Sequence, residues 1–129
     1  MPLYGDGKYI RDWLYVGDNC RALLLLLRKG EIGEIYNIGA SELHENTEVA
    51  KKILDILAKP HSLIEYVQDR LGHDRRYCVK WNKIRELGWQ PQAKFPKQFE
   101  ETIRWYKDKI NWWNQKAEEA EKFYGKENG

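Results

Sequence analysis

A stretch of nine residues, Asp69–Tyr77, concentrates side chains that bind anions. Its sequence DRLGHDRRY holds three arginines, two aspartates and one histidine around a single glycine. Each arginine carries a planar, permanently charged set of donors that fits a phosphate or a carboxylate with two parallel hydrogen bonds. Gly72 allows the backbone to turn sharply between Arg70 and His73. The stretch therefore predicts an oxyanion site in an irregular loop, and the alternative is a solvated loop of ion pairs.

Two polar residues elsewhere in the sequence could complete such a site. Arg11 supplies a second forked donor, and Asn37 lies in an otherwise apolar segment, where its amide competes with strand hydrogen bonds. Taken alone, each has a simpler explanation: Arg11 pairs with Asp12 or a surface acid, and Asn37 ends a strand. Together, two arginine sites and an amide meet the needs of a diphosphate, because each of its negative groups accepts two hydrogen bonds from one guanidinium.

Other kinds of chemistry have little support in this sequence. His73 is a candidate general acid or base, since histidine exchanges protons near neutral pH, but no partner set is recognisable for it. No serine or cysteine lies in a nucleophile motif, and His44 and His61 lack the spacing of metal ligands. The sequence has no GxGxxG run or other glycine-rich phosphate loop, so it predicts no dinucleotide site.

Composition narrows the class of protein further. The 129 residues include 22 basic and 20 acidic side chains, and the net charge of +2 argues against general binding to nucleic acids or membrane surfaces. Cys20 and Cys78 suggest neither a disulfide framework nor a zinc cluster, and the longest apolar run, Ala22–Leu27, is too short to span a membrane. We therefore expect one cytoplasmic domain, small for an enzyme that holds both a dinucleotide and a substrate.

Short strands and helices are expected to position these residues. Asp18 is predicted to cap a helix that ends at Gly30, and the apolar residues Leu23–Leu27 predict that this helix is buried on more than one side. The charged residues 114–129 are expected to form a frayed helix or a disordered tail. The expected elements are a turn at Pro2–Gly7, an extended segment at Tyr9–Val16, a helix to Lys29, a strand at Gly33–Gly39, a helix from Asn46 or Thr47 that ends before Pro60, strands at Leu63–Val67 and Tyr77–Val79, a helix from Asn82 to Gly88, and an amphipathic helix carrying Phe99, Ile103, Tyr106 and Ile110.

Four segments of the sequence resemble the C-terminal part of the dTDP-glucose 4,6-dehydratase family, which belongs to the extended short-chain dehydrogenase/reductases. They are PLYGDGKYIRDWLYVGD at Pro2–Asp18, GEIYNIG at Gly33–Gly39, DRLGHDRRY at Asp69–Tyr77 and RELGWQP at Arg85–Pro91. The Gly-His-Asp-Arg-Arg-Tyr run is the most specific of the motifs, whereas Arg-Asp-Trp and Tyr-Asn-Ile-Gly occur widely in nucleotide-sugar enzymes. The resemblance implies a small mixed α/β domain over residues 1–113, with short strands and about four helices, equivalent to the family's substrate-binding part without its main Rossmann half.

The resemblance also implies a ligand, a nucleoside diphosphate-sugar such as dTDP-glucose. By this resemblance Arg11 and Arg70 are the diphosphate clamps, and Tyr4, Asn37 and His73 orient the nucleoside, the phosphate or adjoining groups. Leu71 stands where the family usually has proline, and Lys80 stands where it usually has aspartate. The implied substrate contacts are Pro2, Tyr4, Arg11, Asn37, Asp69, Arg70, Gly72 and His73.

The family motifs that are missing from this sequence determine which activity we expect. The family is an NAD-dependent lyase, but neither its glycine-rich NAD-binding unit nor its catalytic Tyr/Lys helix is recognised in this sequence. We therefore expect a truncated homologue that binds no cofactor and does not catalyse dehydration alone. One alternative is half of a split enzyme completed by an NAD-binding partner chain. Another is an interaction protein that forms a homo-oligomer through the leucine-rich helix at Asn19–Lys29, whose apolar surface would otherwise face water.

Overall fold

The computed structural model describes residues 1–114, 116 and 117. Within this part of the chain, four α-helices and a short 3-10 helix at His61–Leu63 accompany four short strands, and a further helical stretch follows Lys109. None of the described helices is long and apolar enough to cross a membrane. The small mixed α/β fold predicted from the sequence is thereby confirmed. The strands are β1 (Pro2–Tyr4), β2 (Ile10–Asp12), β3 (Leu43–Glu45) and β4 (Glu65–Val67), and the helices are α1 (Val16–Lys29), α2 (Asn46–Ile56), α3 (Asn82–Glu86) and α4 (Phe95–Asp108).

The strands form two separate pairs that fix the arginine-rich loop at both ends. β1 pairs with β4 in parallel, with Leu3 opposite Tyr66, and this pair holds the chain just before the loop. β2 pairs with β3 in antiparallel register, and an isolated bridge joins Ile10 of β2 to Arg76 at the far end of the loop. The loop itself is irregular, as predicted. Because both ends are held by hydrogen bonds, the residues between them are confined beside β2.

The packed core is small and lies where α1 meets α3. Ala22 and Ile84 are fully buried, and Trp89 is 5% exposed. The Trp89 indole N–H donates to the Asp18 carbonyl oxygen at 3.2 Å, so the buried ring leaves no unpaired donor. Partly buried residues that complete this core are Leu14, Leu25, Leu26, Tyr36, Ile38 and Trp81.

Asp18 does not cap α1, and this prediction was wrong. The residue before the helix is Tyr15, and Asp18 lies in the first turn with only 1% of its surface exposed. Its carboxylate instead accepts the backbone N–H groups of Gln92 and Ala93 at 3.1 and 2.9 Å and pairs with Arg21. The acid therefore ties α1 to the distant segment before α4, a contact that local spacing does not reveal. The end of α1 at Gly30 is as predicted.

The expected burial of α1 on more than one side was also wrong. Leu25 and Leu26 pack against the core, but Leu23, Leu24 and Leu27 are 49%, 54% and 84% exposed. Nothing among the described residues covers that side of the helix. The apolar run thus forms one buried face and one exposed face.

Three of the predicted elements near the ligand segments differ from the structure. The strand expected at Tyr77–Val79 does not form, because only the isolated bridge between Ile10 and Arg76 pairs this segment with β2, and residues 77–80 have no regular secondary structure. Pro2–Tyr4 is a strand, and the turn is confined to residues 5–7, because the backbone of β4 is available as a pairing partner. Residues 34–40 form no strand, since no described strand pairs with them, although the apolar pattern of Gly33–Gly39 suits one. Residues 110–114, 116 and 117 are helical. The rest of the predicted tail, residue 115 and residues 118–129, lies outside the described residues.

Candidate functional site

Arg11 is the centre of a cluster of aromatic and polar side chains beside β2. Its guanidinium donates to the backbone oxygen of Ile10 at 2.8 Å, and its second terminal nitrogen lies 2.9 Å from Nε2 of His73. The guanidinium also lies over the Tyr77 ring, 4.3 Å from its centroid. A strand residue and two loop residues 62 or more positions away in sequence are thus brought together.

Asp69 and His73 form the second layer of this cluster. His73 Nδ1 lies 3.0 Å from Oδ1 of Asp69, and the imidazole stacks on the Tyr9 ring with centroids 4.0 Å apart. Tyr9 is buried and donates its hydroxyl to the other carboxylate oxygen of Asp69. Tyr9 and Arg11 are two residues apart on an extended segment, so their side chains lie on the same face.

Arg70 reaches the cluster from the loop side. Its guanidinium donates to the Tyr4 hydroxyl at 2.8 Å and lies over the Tyr4 ring, 4.1 Å from the centroid. The Tyr4 ring in turn meets the His73 imidazole edge to face at 6.0 Å. Because β1 carries Tyr4 and β4 leads directly into the loop, the parallel strand pair brings Tyr4 into contact with both Arg70 and His73.

The charge on these two arginines is not balanced by an acid within the described part of the chain. Neither Arg11 nor Arg70 forms an ion pair there, and both rest on tyrosine rings and uncharged acceptors. Arg75, in the same loop as Arg70, has a different environment. It donates to both carboxylate oxygens of Asp6, at 2.7 and 2.9 Å. The positive charge of Arg75 is thereby offset by Asp6, whereas no carboxylate among the described residues pairs with Arg11 or Arg70.

The electrostatics of the surrounding groups follow from these contacts. The hydrogen bond from Arg75 lowers the pKa of Asp6 from 3.8 to about 2, and the same pairing raises the pKa of Arg75. The hydrogen bond that Tyr77 donates to Asp74, at 2.8 Å, raises the pKa of the Tyr77 phenol. Tyr77 therefore remains a neutral donor at physiological pH, so it acts as a support for Arg11 rather than as a base.

The remaining predicted site residues lie around the cluster with fewer contacts. Gly72 adopts a left-handed conformation with φ of 69°, and a side chain there would be strained. Pro2 is exposed at the start of β1. Asn37 is exposed, and no hydrogen bond or ion pair joins it to another described residue. The structure therefore brings together Tyr4, Arg11, Asp69, Arg70 and His73, and leaves Pro2 and Asn37 at the periphery.

Sequence reasoning missed two members of the cluster, Tyr9 and Tyr77. Neither residue is among the predicted ligand contacts, yet Tyr9 stacks on the imidazole of His73 and Tyr77 lies under the guanidinium of Arg11. The signal that could have found Tyr9 is its spacing of two from Arg11 in an extended segment. Tyr4 and Lys8 do show Tyr-x-x-x-Lys spacing, but β1 ends at Tyr4 and a turn follows, so the two side chains do not share a helix face.

Of two pockets in the described part of the chain, one is lined by an arginine. A groove of about 230 Å³ opens beside Arg11 and is walled by Ile38, Gly39 and Val79. A larger cavity of about 650 Å³ lies between the start of α1 and α4, is lined largely by aromatic side chains such as Trp13 and Phe99, and contains no arginine. Oxyanion chemistry thus belongs to the groove side of the domain. Within the described residues there is no group of three or more side chains suited to hold a metal ion.

Comparison with known proteins identifies the family. The family model described as GDP-mannose 4,6 dehydratase matches residues 1–102. A dTDP-glucose 4,6-dehydratase of Actinoplanes sp. is 45% identical over 114 residues, which cover 88% of this chain and 36% of that protein. The chain thus spans about a third of the length of the curated relatives it matches.

Solved structures agree with the sequence comparison. The dTDP-glucose 4,6-dehydratase of Bacillus anthracis in complex with NAD superposes with a TM-score of 0.80 at 44% identity, covering 88% of this chain and 36% of that one. The Streptomyces venezuelae enzyme of the same name, also with NAD bound, gives a TM-score of 0.83 at 43% identity over 88% of this chain and 35% of that one. The chain therefore belongs to the nucleotide-sugar 4,6-dehydratase family of the short-chain dehydrogenase/reductase superfamily.

Proposed function

We propose that this chain binds a nucleoside diphosphate-sugar such as dTDP-glucose, as the substrate-binding part of a dTDP-glucose 4,6-dehydratase. The observation that carries the proposal is the pair of guanidiniums, Arg11 and Arg70, that have no carboxylate partner among the described residues and converge on the loop at His73. A diphosphate supplies two anionic groups, and each of them accepts two hydrogen bonds from a guanidinium. The solved structures that share 42–44% identity with this chain carry the name dTDP-glucose 4,6-dehydratase.

The surrounding residues have distinct tasks in this proposal. Arg70 is exposed and reaches the ligand from the loop, whereas half-buried Arg11 meets it from β2. His73 and Tyr4 link the two arginines, since His73 contacts Arg11 and Tyr4 contacts Arg70. Asn37, next to the groove residues Ile38 and Gly39, is available to orient the nucleoside or a phosphate. We propose the cytoplasm as the compartment, which fits the two free cysteines of the described chain.

The decisive test is calorimetric titration of the purified chain with dTDP and dTDP-glucose. Arg70→Ala is expected to weaken binding by about 1.5–3 kcal/mol, because it removes charge-assisted hydrogen bonds to a phosphate. Arg104→Ala is the matched control, since Arg104 pairs with Glu100 on the exposed side of α4 and should not alter affinity. Identical titration curves for wild type and Arg70→Ala would contradict the proposal. Parallel titrations with UDP and UDP-glucose would establish the nucleotide preference.

The proposal assigns substrate binding, and not hydride transfer, to this chain alone. The described strands form only two-stranded sheets, and none of them leads through a glycine-rich turn into a helix, which is how dinucleotide-binding units hold the pyrophosphate. NAD is bound in the solved structures of relatives, and we propose that the cofactor is held by residues other than those of this chain.

The second candidate function is that of one half of a split dehydratase. The observation in its favour is the exposed apolar side of α1, where Leu24 and Leu27 are 54% and 84% exposed, together with the unpaired segment that follows it. An NAD-binding partner chain could cover both. Dehydration of dTDP-glucose to the 4-keto-6-deoxy sugar is expected from a mixture with such a partner in the presence of NAD. Product formation by this chain and NAD alone would contradict the division of labour.

A further inference from the structure

The contact between Arg11 and His73 fixes where the imidazole carries its proton. Arginine can only donate hydrogen bonds, so the His73 Nε2 atom, 2.9 Å from an Arg11 terminal nitrogen, must accept one. An accepting Nε2 carries no proton. The neutral imidazole then holds its proton on Nδ1, which faces Oδ1 of Asp69 at 3.0 Å and donates to it. Arg11 and Asp69 together thus select a single neutral tautomer of His73.

Asp69 is held in place by donors on both of its oxygens. The Tyr9 hydroxyl donates to Oδ2, and the backbone N–H of Arg70 donates to Oδ1 at 2.9 Å. The Tyr9 ring also stacks on the imidazole with an angle of 20° between the planes, so it restrains His73 directly. Tyr9 is only 5% exposed, so the residue that supports both Asp69 and His73 lies in the protein interior.

We propose that Tyr9, Asp69 and His73 are positioning residues, which hold the Arg11 guanidinium toward the diphosphate through the lone pair of His73 Nε2. This inference rests on the nucleotide-sugar function proposed above and adds the device that orients one of its two clamps. The three residues act through Arg11. Without the acceptor at Nε2, Arg11 keeps only the Ile10 oxygen and its ring contacts, and its terminal nitrogens are free to turn away from the ligand.

Two substitutions of His73 test whether the side chain at this position must accept a hydrogen bond from Arg11 or only has to occupy the same volume. In His73→Gln the longer side chain can place an amide oxygen near the former Nε2, whereas His73→Asn keeps an amide donor near Asp69 but does not reach Arg11. We expect dTDP affinity of His73→Gln to stay within about threefold of wild type and that of His73→Asn to fall by about tenfold or more. Equal losses in the two variants would overturn the positioning role.

A double-mutant cycle shows whether His73 acts through Arg11. In an Arg11→Ala background, the Gln and Asn variants should bind dTDP equally, because the group being positioned is gone. A difference that persists would overturn the inference. Tyr9→Phe keeps the ring and removes the hydroxyl, and it should weaken binding in the wild-type background only. Unchanged affinity in this variant would overturn the assignment of Tyr9.

A spectroscopic measurement on the ligand-free, full chain tests the tautomer independently of binding. Nitrogen-15 NMR of histidine-labelled protein distinguishes the two neutral tautomers, and the His73 signals are those that vanish in His73→Gln. We expect the proton on Nδ1, and a proton on Nε2 would overturn the inference. If wild type does not bind dTDP, the proposed function fails, but the spectrum still decides whether the contacts that orient Arg11 exist.

Discussion

Arginine occurs at three positions of this site, and its contacts differ among them. Arg75 meets a carboxylate with two hydrogen bonds and becomes part of the scaffold that joins the loop to the first turn. Arg11 and Arg70 lie on tyrosine rings, which attract a cation through their negative faces but do not cancel its charge. An anion can therefore still gain from Arg11 and Arg70, and not from Arg75. The environment of each guanidinium, rather than the number of arginines, decides which of them can bind phosphate.

The ion pair between Asp6 and Arg75 predicts a dependence of stability on pH. The pKa of Asp6 is lowered from 3.8 to about 2 in the folded chain, so the folded state favours the ionised carboxylate. This stabilisation is fully present above the unfolded pKa and is lost as the pH falls toward about 2. Asp6→Asn should therefore be less stable than wild type at neutral pH, and the difference should shrink between about pH 4 and pH 2.

Chemical denaturation of both proteins at a series of pH values measures this difference. The effect should be small, because the side chains of Arg75 and Asp6 are 55% and 50% exposed and solvent screens the pair. Asp108→Asn serves as the control, since Asp108 has no ion pair in the described part of the chain. A stability gap for Asp6→Asn that is constant across this pH range would show that the ion pair does not form in solution.

At the scale of elements, one buried acid connects helix α1 to the chain that leads into α4. Asp18 accepts two backbone N–H groups, from Gln92 and Ala93, and neither N–H makes another hydrogen bond within the described residues. Asp18→Ala should lower the free energy of unfolding by about 1.5–3 kcal/mol, because hydrogen bonds to a charged acceptor are lost. Equilibrium denaturation in urea provides the measurement.

Two further variants make this prediction specific to the carboxylate. Asp18→Asn retains an oxygen that can accept from the same N–H groups, so its stability should fall between those of wild type and Asp18→Ala. Asn19→Ala, one residue along α1, should have little effect, since Asn19 makes none of these contacts. If Asp18→Ala is as stable as wild type, the acid does not hold the two segments together.

The elements predicted correctly from the sequence are those whose signals are local. The end of α1 at Gly30, the short helix α3 and the irregular loop all follow from residue types at neighbouring positions. The strand expected at Gly33–Gly39 does not form, because a strand needs a partner and local pattern says nothing about its presence. The spacing of Tyr9 from Arg11 is a local signal that places both side chains on one face, but the contacts of Tyr9 with Asp69 and His73 could not be predicted, since they join segments 60 or more residues apart.

At the scale of the whole molecule, the apolar surface is unevenly covered. The core around Ala22 and Ile84 occupies one side of α1, while the opposite side and the segment after it expose large apolar groups. Ile32 and Ile35 are 105% and 83% exposed. Several large apolar side chains exposed on one helix and the segment after it are typical of an interface, either with a second copy of the chain or with a different partner.

The exposed apolar side of α1 predicts that copies of the chain associate as the protein concentration rises. If copies associate through this surface, wild type should show a mass above that of the monomer in light scattering, and the double substitution Leu24→Lys with Leu27→Lys should restore the monomer by placing charges in the interface. Leu71→Lys makes the same chemical change at a fully exposed loop position and should leave the mass unchanged. A wild-type chain that remains strictly monomeric would exclude self-association and leave this surface for a different partner. If wild type mixed with an NAD-binding partner dehydrates dTDP-glucose and the double variant does not, the partner binds at α1.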